Sequence, residues 1–341
     1  MTKQIFQKEI NLITKEIELL SKLDSINSYL QQYNWIFLHP YSQGMDIGIL
    51  QRLSTEAENP KEEILHFFAK KFLDLRNTIH FIDGFYSKRP FLKEYSSSIE
   101  ESVILCIQKD FNGAINVLLP VIEGTLRKYL VSKQGIEKEQ EINISKLLSV
   151  FELMTIDYVD LQKKYLKRRY HSLVTINKYF DTNQEKQILK KHKEYFELWI
   201  KQLKNYLQNN LYLNTKHNTV VTDSFNRHLI FHALNQDIEY SFSNYLRLFN
   251  CINFLSWAIG AGDETCSILS ELDEEDMKSK WADYFNILII SEALTETKNN
   301  IYKNPIVSFK KYLDPKYLKI LENPEKLVRS AIELNQFLKA K

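Results

Sequence analysis

The sequence NGAINVLLPVIEGTLRKYLVSK at residues 112–133 decides the fold class. Its large apolar side chains recur every three or four positions, and this spacing places them on one face of an α-helix. The helical pattern already begins at Ser96, and Pro120 predicts a kink because proline removes one hydrogen bond of the helical ladder. The apolar positions of this face are Ile115, Leu118, Leu119, Ile122, Leu126 and Leu130.

The composition of the whole chain favours the same kind of structure. The chain has 341 residues, of which 44% are hydrophobic, and it contains only 8 Gly and 7 Pro. A chain so poor in helix breakers is expected to be all-α. One or two helices are predicted at 4–33, and further helices at 63–82, 143–155, 158–180 and 184–211. A last helix is predicted from about 225 to about 259, either continuous or with one break, and it ends at the glycines of 260–262.

Charge and cysteine content restrict the class of protein. The formal net charge of +2 neither requires nor excludes a nucleic-acid partner. The three cysteines show no CxxC spacing, which favours reduced thiols in the cytoplasm over a disulfide framework or a zinc site. The most apolar stretch, at 245–262, contains Arg247, Asn250 and Asn253 and is therefore a poor candidate for a membrane span. We expect a cytoplasmic protein with no membrane partner.

Residues 225–234, FNRHLIFHAL, place Arg227, His228 and His232 among large apolar residues. These residue types suit RNA cleavage, in which the 2′-hydroxyl of the RNA attacks the neighbouring phosphate. A histidine with an ordinary pKa of about 6.5 can transfer the proton at neutral pH. An arginine fork, always charged, can bind the non-bridging phosphate oxygens. The stretch is therefore a candidate ribonuclease site.

The spacing of this pair also bears on oligomeric state. Arg227 and His232 are five positions apart, so on a straight helix their side chains point about 140° away from each other. One copy does not easily direct both groups at a single phosphate, whereas two copies facing each other across a two-fold axis can. The spacing therefore predicts a homodimer.

The segment RHLIFH at 227–232 resembles the R-x4-6-H motif of the HEPN superfamily, which has a polar residue after the arginine. The segment at 89–130, RPFLKEYSSSIEESVILCIQKDFNGAINVLLPVIEGTLRKYL, is also similar to a stretch found in bacterial proteins that carry an NRH…H motif downstream. In that stretch an Arg-led helix is paired with an LL-P-x-IEG-x-LR helix. The resemblance covers about residues 89–260, and Ala233 stands where many members have glycine.

The resemblance implies an antiparallel helical bundle with a HEPN-like core and extra N- and C-terminal helices. It also implies an α-helical ribonuclease of the kind found in toxin–antitoxin, abortive-infection and CRISPR-linked systems, requiring neither metal nor cofactor. It implies that Arg227 holds the phosphate, that His232 is the acid and base, and that His228 assists as the polar neighbour. The expected partners are RNA, a second copy of the chain, and an antitoxin or defence-system protein. On this basis the chain divides into an N-terminal helical region (1–88), a HEPN-like catalytic core (89–262) and a C-terminal helical region (263–341).

Other interpretations of the same residues stay open. In a non-catalytic helical module that binds a partner or a nucleotide, Arg227 would pair with an acid and both histidines would pack structurally. His228 and His232 also share a helix face, as zinc ligands do, but Leu229 stands where a zinc protease has its glutamate.

Two further patterns are weaker. Glu63 and His66 have the ExxH spacing of a di-iron bundle, but the sequence contains no second ExxH. Residues 263–276 contain seven acids, which could form a partner-binding patch. The acids are better explained as a solvated helix start, because acidic residues favour helix N-termini.

A basic segment, LQKKYLKRRYHS at 161–172, supplies a candidate RNA-binding surface. Its cations can neutralise phosphates, and its tyrosines can stack on unpaired bases. The alternative is a solvated face in a Lys-rich protein. The predicted RNA-binding residues are Lys163, Lys164, Lys167, Arg168 and Tyr170.

Overall fold

In the computed structural model of the chain, the structure describes residues 2–37, 44–135, 142–176, 182–213, 226–227, 230, 240–266, 274–302, 306–315 and 318. Within these ranges the regular structure is helical and no strand occurs, which confirms the predicted all-α class. The α-helices are α1 (Thr2–Gln31), α2 (Gly44–Glu56), α3 (Pro60–Leu73), α4 (Leu75–Ile79), α5 (Ser96–Ile107), α6 (Phe111–Gln134), α7 (Ile144–Leu148), α8 (Val150–Ile176), α9 (Thr182–Tyr206), α10 (Phe242–Ala261), α11 (Glu274–Ala293) and α12 (Thr295–Tyr302).

Shorter turns extend some of these helices. A π-helical turn at His80–Phe85 and 3₁₀ turns at Tyr86–Lys88 and Lys93–Tyr95 connect α4 to α5. A second π-helical turn at Leu207–Leu211 continues α9, so that the predicted helix at 184–211 is confirmed in extent. A 3₁₀ turn at Lys310–Tyr312 follows α12.

The helical pattern that starts at Ser96 is divided between α5 and α6. Lys109 adopts a left-handed backbone conformation with φ of 65°, which ends the first helix. The side chain of Asp110 then accepts a hydrogen bond from the backbone N–H of Gly113 at 2.9 Å, as helix-capping residues do. Helix α6 continues through Pro120.

The predicted boundary between the helices at 143–155 and 158–180 was wrong. The observed break lies at Ser149, between α7 and α8, and α8 runs without interruption through residues 155–158. The Ser149 hydroxyl donates a hydrogen bond to the carbonyl of Lys146 at 2.7 Å. The backbone N–H of Ser149 also donates to the carbonyl of Lys146, three residues back, so the turn is tighter here than in an α-helix.

Contacts divide the chain into two compact units, each formed from three segments. The first unit comprises residues 1–57, 123–228 and 251–268, and the second comprises 58–122, 229–250 and 269–341. The units alternate along the sequence, whereas the regions at 1–88, 89–262 and 263–341 are consecutive. Those functional boundaries stay a prediction.

In the first unit, α8 runs antiparallel to α9. The Nζ of Lys204 near the end of α9 lies 3.2 Å from Oε1 of Glu152 near the start of α8. Further along α8, the hydroxyl of Tyr158 lies 3.1 Å from Nδ1 of His192, which is nearer the start of α9. As residue numbers rise on one helix they fall on the other, so the two helices point in opposite directions.

Helix α1 lies against both α8 and α9. Ile13, Leu166 and Ile188 form a buried cluster, one residue from each helix. At the other end of α1, Asn27 and Asp24 exchange hydrogen bonds with Gln202 of α9. These contacts pair early residues of α1 with early residues of α9, so these two helices are parallel.

The second unit has an aromatic core and one buried ion pair. The core rings come from α3 and the start of α10, where Phe72 contacts Phe242, Tyr245 and Phe249 edge to face. Nearby, the ammonium of Lys109 lies 2.7 Å from the carboxylate of Glu292, and both side chains are buried. Burial without this partner would be costly for either charge.

Helix α10 contains most of the apolar stretch considered as a membrane span. It ends at Ala261, beside the predicted glycines. Arg247 is buried within it and donates a hydrogen bond to Asn244 at 2.6 Å. Among the described helices, none combines the length and the apolarity required to cross a membrane.

Candidate functional site

Arg227 forms an ion pair with Glu123 of α6 through its Nε and the carboxylate Oε1. The Arg227 side chain is 34% exposed and that of Glu123 is 13% exposed. A second cation, Arg127, lies one helical turn along α6, with its Nη2 3.9 Å from the other carboxylate oxygen. One carboxylate therefore orients two guanidinium groups, and the three side chains together carry one net positive charge.

The ion pair joins the two sequence segments that carry the family resemblance. Glu123 and Arg127 lie in the IEG-x-LR part of α6, and Arg227 begins the RHLIFH segment. The contact is also what the structural interpretation of the motif predicted, namely an arginine paired with an acid. By itself the pair is compatible with a catalytic and with a non-catalytic role.

Asn226 fixes the backbone immediately before Arg227. Its side chain is buried, and its amide nitrogen donates hydrogen bonds to the carbonyls of Leu213 at 2.8 Å and Asn210 at 3.3 Å. Asn210 lies in the π-helical turn that continues α9, and Leu213 follows two residues after that turn. Asn226 therefore anchors the Arg227 segment to the end of α9.

Tyr212 is a buried residue with a titratable phenol, and it lies close enough to Glu123 and Arg227 to sense their charges. Burial raises the pKa of its phenol well above the ordinary value, and the charge of Glu123 raises it further while Arg227 opposes the shift. Its hydroxyl has no hydrogen-bond partner within the part of the chain that the structure describes. The phenol is therefore neutral at physiological pH and does not serve as a base.

The two histidines of the motif, His228 and His232, lie outside the described residues. The structure thus places Arg227 but does not test the predicted roles of the histidines or their zinc-ligand alternative. Ile230, between them in sequence, is buried, and its carbonyl accepts a hydrogen bond from the Tyr240 hydroxyl at 2.9 Å.

The predicted RNA-binding residues all lie on α8. Two of their cations face a carboxylate of the protein, and two others do not. Lys164 and Arg168 both face Glu264, with Lys164 Nζ at 3.8 Å and Arg168 in direct contact. Lys163 and Lys167 are exposed on the same helix, with no ion pair among the described residues. The side chain of Tyr170 lies outside the described residues.

Exposed ion pairs contribute little stability, so a phosphate can compete with Glu264 for Arg168. Sequence reasoning placed the five residues on one helix correctly but did not identify the acid that occupies two of the cations. Glu264 was counted with the acidic residues of 263–276. Three others of that set, Glu274, Glu275 and Asp276, form the first turn of α11, as the helix-start interpretation predicted.

Across the described ranges, no group of three or more His, Cys, Asp or Glu side chains is placed to hold a metal ion. In the ExxH pair, Glu63 accepts a hydrogen bond from the backbone N–H of Asn59 at 2.9 Å, and the His66 ring packs against Tyr312 with centroids 5.6 Å apart. These two residues therefore have separate structural roles.

Comparison of the chain with protein-family models, with curated proteins and with solved structures found no match.

Sequence reasoning missed the residues that hold Arg227 in place. The signal for Glu123 and Arg127 was their i,i+4 spacing, which lets an acid and a base interact on one helix face. The signal for Asn226 was its position directly before the motif arginine. Neither signal indicated that these side chains would meet Arg227, because that contact depends on how distant segments pack.

Proposed function

We propose that the protein is a metal-independent RNA endoribonuclease of the HEPN type, acting as a toxin or anti-phage effector. The observation that carries the proposal is the orientation of Arg227 by Glu123. The guanidinium is held from one side by a carboxylate, and its side chain is one-third exposed. An arginine that is both oriented and accessible suits the binding of a phosphate, since electrostatic catalysis depends on charges fixed before the substrate arrives.

In this proposal the residues divide the chemistry between them. The RNA 2′-hydroxyl attacks the adjacent phosphorus, which forms the 2′-O–P bond and breaks the bond to the 5′-oxygen. His232 accepts the 2′ proton and returns a proton to the departing 5′-oxygen. Arg227 neutralises the charge that develops on the phosphate, and His228 assists as a polar neighbour. The products are a 2′,3′-cyclic phosphate and a 5′-hydroxyl.

Glu123 acts in this scheme as a positioning residue. It contacts Arg227 and not the RNA, and its own orientation is supported by Arg127. Asn226 has a comparable role through the backbone, because its hydrogen bonds tie the Arg227 segment to the carbonyls of Asn210 and Leu213. Both residues are expected to influence cleavage through the position of the guanidinium.

The proposal includes a homodimer in which the motif segments of two copies meet, so that Arg227 and His232 can act on one phosphate. It also includes an antitoxin or defence-system protein as the partner that restrains the activity. Light scattering on the purified protein tests the dimer, and an active monomer at the assay concentration would contradict it.

A second candidate is a non-catalytic helical module. The same ion pair favours it, because Glu123 already supplies the counter-charge that a purely structural arginine requires. In that case Arg227 stabilises the fold, and any partner or nucleotide binds elsewhere.

The deciding experiment is controlled expression of the wild type beside His232→Ala, with growth arrest and cellular RNA integrity as readouts. Arg52→Ala, at an exposed position of α2, serves as the matched control. The nuclease proposal expects RNA fragmentation with the wild type and the control, and intact RNA with folded His232→Ala. Equal RNA cleavage by folded His232→Ala would exclude the assigned role of the histidine.

A further inference from the structure

A second site lies in the second unit, where α3, α4 and α11 meet the 3₁₀ turn at Lys310–Tyr312. These elements enclose a cavity of about 260 Å³. Its apolar lining consists of seven residues, of which five have buried side chains, Trp281 is partly exposed and Pro315 is exposed. The buried ones are Leu73, Leu75, Phe285, Tyr312 and Leu313.

The aromatic part of this lining is ordered by its own contacts. Trp281 and Phe285 lie one turn apart on α11, with nearly parallel rings (12°) and centroids 5.3 Å apart. The guanidinium of Arg76 lies over the Trp281 ring, 5.4 Å from its centroid. Rings held in this way offer a preformed surface against which a planar ligand can pack without loss of side-chain freedom.

The rim of the cavity is charged. Lys70, Asp74 and Asp314 line the opening and are exposed. Asp74 accepts a hydrogen bond from the side chain of Asn77 at 2.8 Å. The ammonium of Lys70 has no ion-pair or hydrogen-bond partner among the residues that the structure describes.

We propose that this cavity binds a small aromatic anion, with its planar ring inside the aromatic lining and its anionic group at Lys70. A volume just below the usual range for ligand sites favours one ring system over a larger molecule. The ring gains from leaving water, and the anion gains a charge-assisted contact with Lys70 that must exceed the repulsion from Asp74 and Asp314 at the same rim. The anionic group is a carboxylate or a phosphate. The site is independent of the proposed nuclease activity.

Calorimetric titration of the full chain tests the proposal with two aromatic anions, indole-3-acetate as the carboxylate and adenosine monophosphate as the phosphate. Indole and adenosine are their neutral counterparts. We expect one anion to bind saturably and about ten-fold more tightly than its neutral counterpart, since hydrogen bonds to charged groups are of that size. The anion that binds shows whether the site accepts a carboxylate or a phosphate.

Variants locate the binding. Lys70→Gln should weaken binding of the anion about ten-fold and leave the affinity for the neutral compound unchanged. The control is Lys61→Gln, at an exposed position of the same helix outside the cavity, which should change neither affinity. Trp281→Leu should weaken binding of both compounds about ten-fold, because the ring surface is lost. Circular dichroism confirms the fold of each variant. Failure of both anions to bind, or full binding by folded Lys70→Gln or Trp281→Leu, would overturn the assignment.

Discussion

The Nε of Arg227 contacts Oε1 of Glu123, so the arginine of the RHLIFH segment is held by the acid of the IEG segment on α6. Arg127 approaches the same carboxylate from within α6. The contact places the Arg227 guanidinium beside Glu123 while the Arg227 side chain stays partly exposed. The effect of this contact on stability and its effect on RNA cleavage can be measured separately.

Removal of the ion pair should lower stability by a measurable coupling energy. A double-mutant cycle with Glu123→Gln and Arg227→Gln should give a coupling of about 1 kcal/mol, between the values for exposed pairs and for buried ones. Chemical denaturation of the four proteins measures it. The cycle with Glu123→Gln and Arg52→Gln serves as the control, since Arg52 lies on α2 outside this ion pair, and should give no coupling. Strict additivity in the first cycle would show that the pair does not stabilise the fold.

Arg227→Lys distinguishes the two candidate functions. Lysine keeps the positive charge for Glu123 but cannot present a bidentate fork to phosphate. We expect the free energy of unfolding to change by less than about 1 kcal/mol, while RNA cleavage falls at least about ten-fold. Cleavage of a labelled RNA and denaturation of the same preparation provide the two measurements. If cleavage is unchanged in the lysine variant, Arg227 does not bind the phosphate through its fork.

The proposed mechanism makes the RNA itself the source of the nucleophile. Cleavage should persist in excess EDTA, because no metal-bound hydroxide is required. A substrate with a single 2′-deoxy sugar on the 5′ side of the cut should be inert, and the all-ribose substrate is its control. Loss of activity in EDTA with recovery on zinc would assign His228 and His232 to a metal site, and cleavage of the deoxy substrate would exclude the mechanism.

The basic surface of α8 should contribute to RNA affinity through Lys163 and Lys167. In an inactive His232→Ala background, replacing both lysines with Gln should weaken RNA binding and reduce the slope of log affinity against log salt by about 1.4. Each phosphate contact on a single strand contributes about 0.7 to that slope. Fluorescence anisotropy over a salt series gives the measurement.

The matched control replaces Lys8 and Lys15, which are exposed on α1. Glu264→Gln should act in the opposite direction, because it removes the acid that faces Lys164 and Arg168. An unchanged salt slope in the Lys163 and Lys167 double variant would mean that RNA binds on another surface.

His192 should make stability sensitive to mildly acidic pH. Burial lowers the pKa of its imidazole to about 4, and its ring lies against Tyr158. As pH falls below the ordinary value of about 6.5, the unfolded chain takes up a proton at His192 that the folded chain resists. The free energy of unfolding should therefore fall by about 1–2 kcal/mol between pH 6.5 and 5.

The reference for this prediction is His192→Asn, which keeps a polar atom near the Tyr158 hydroxyl but does not titrate. Denaturation of both proteins at several pH values isolates the histidine contribution, because all other groups titrate in both. Parallel stability curves for wild type and variant would show that His192 is not responsible.

Several features of the fold were predictable because they depend on neighbours in sequence. The periodicity around Leu118 and Leu126 specifies a helix whatever the rest of the chain does. The end of α10 beside the glycines of 260–262 is similarly local. The boundary at Ser149 was missed because it is a local tightening of the backbone turn, which no change in apolar periodicity marks.

The sequence by itself determined the all-α class, the approximate position of several helices, and the presence of an arginine and two histidines in one short segment. Only the tertiary structure decided that Glu123 meets Arg227, that Asn226 anchors this segment to α9, and that Glu264 faces Arg168. Helix formation follows from interactions within a few residues. The partner of a charged side chain instead depends on which distant segments are brought together by burial of their apolar faces, and the spacing of residues along the chain does not contain that information.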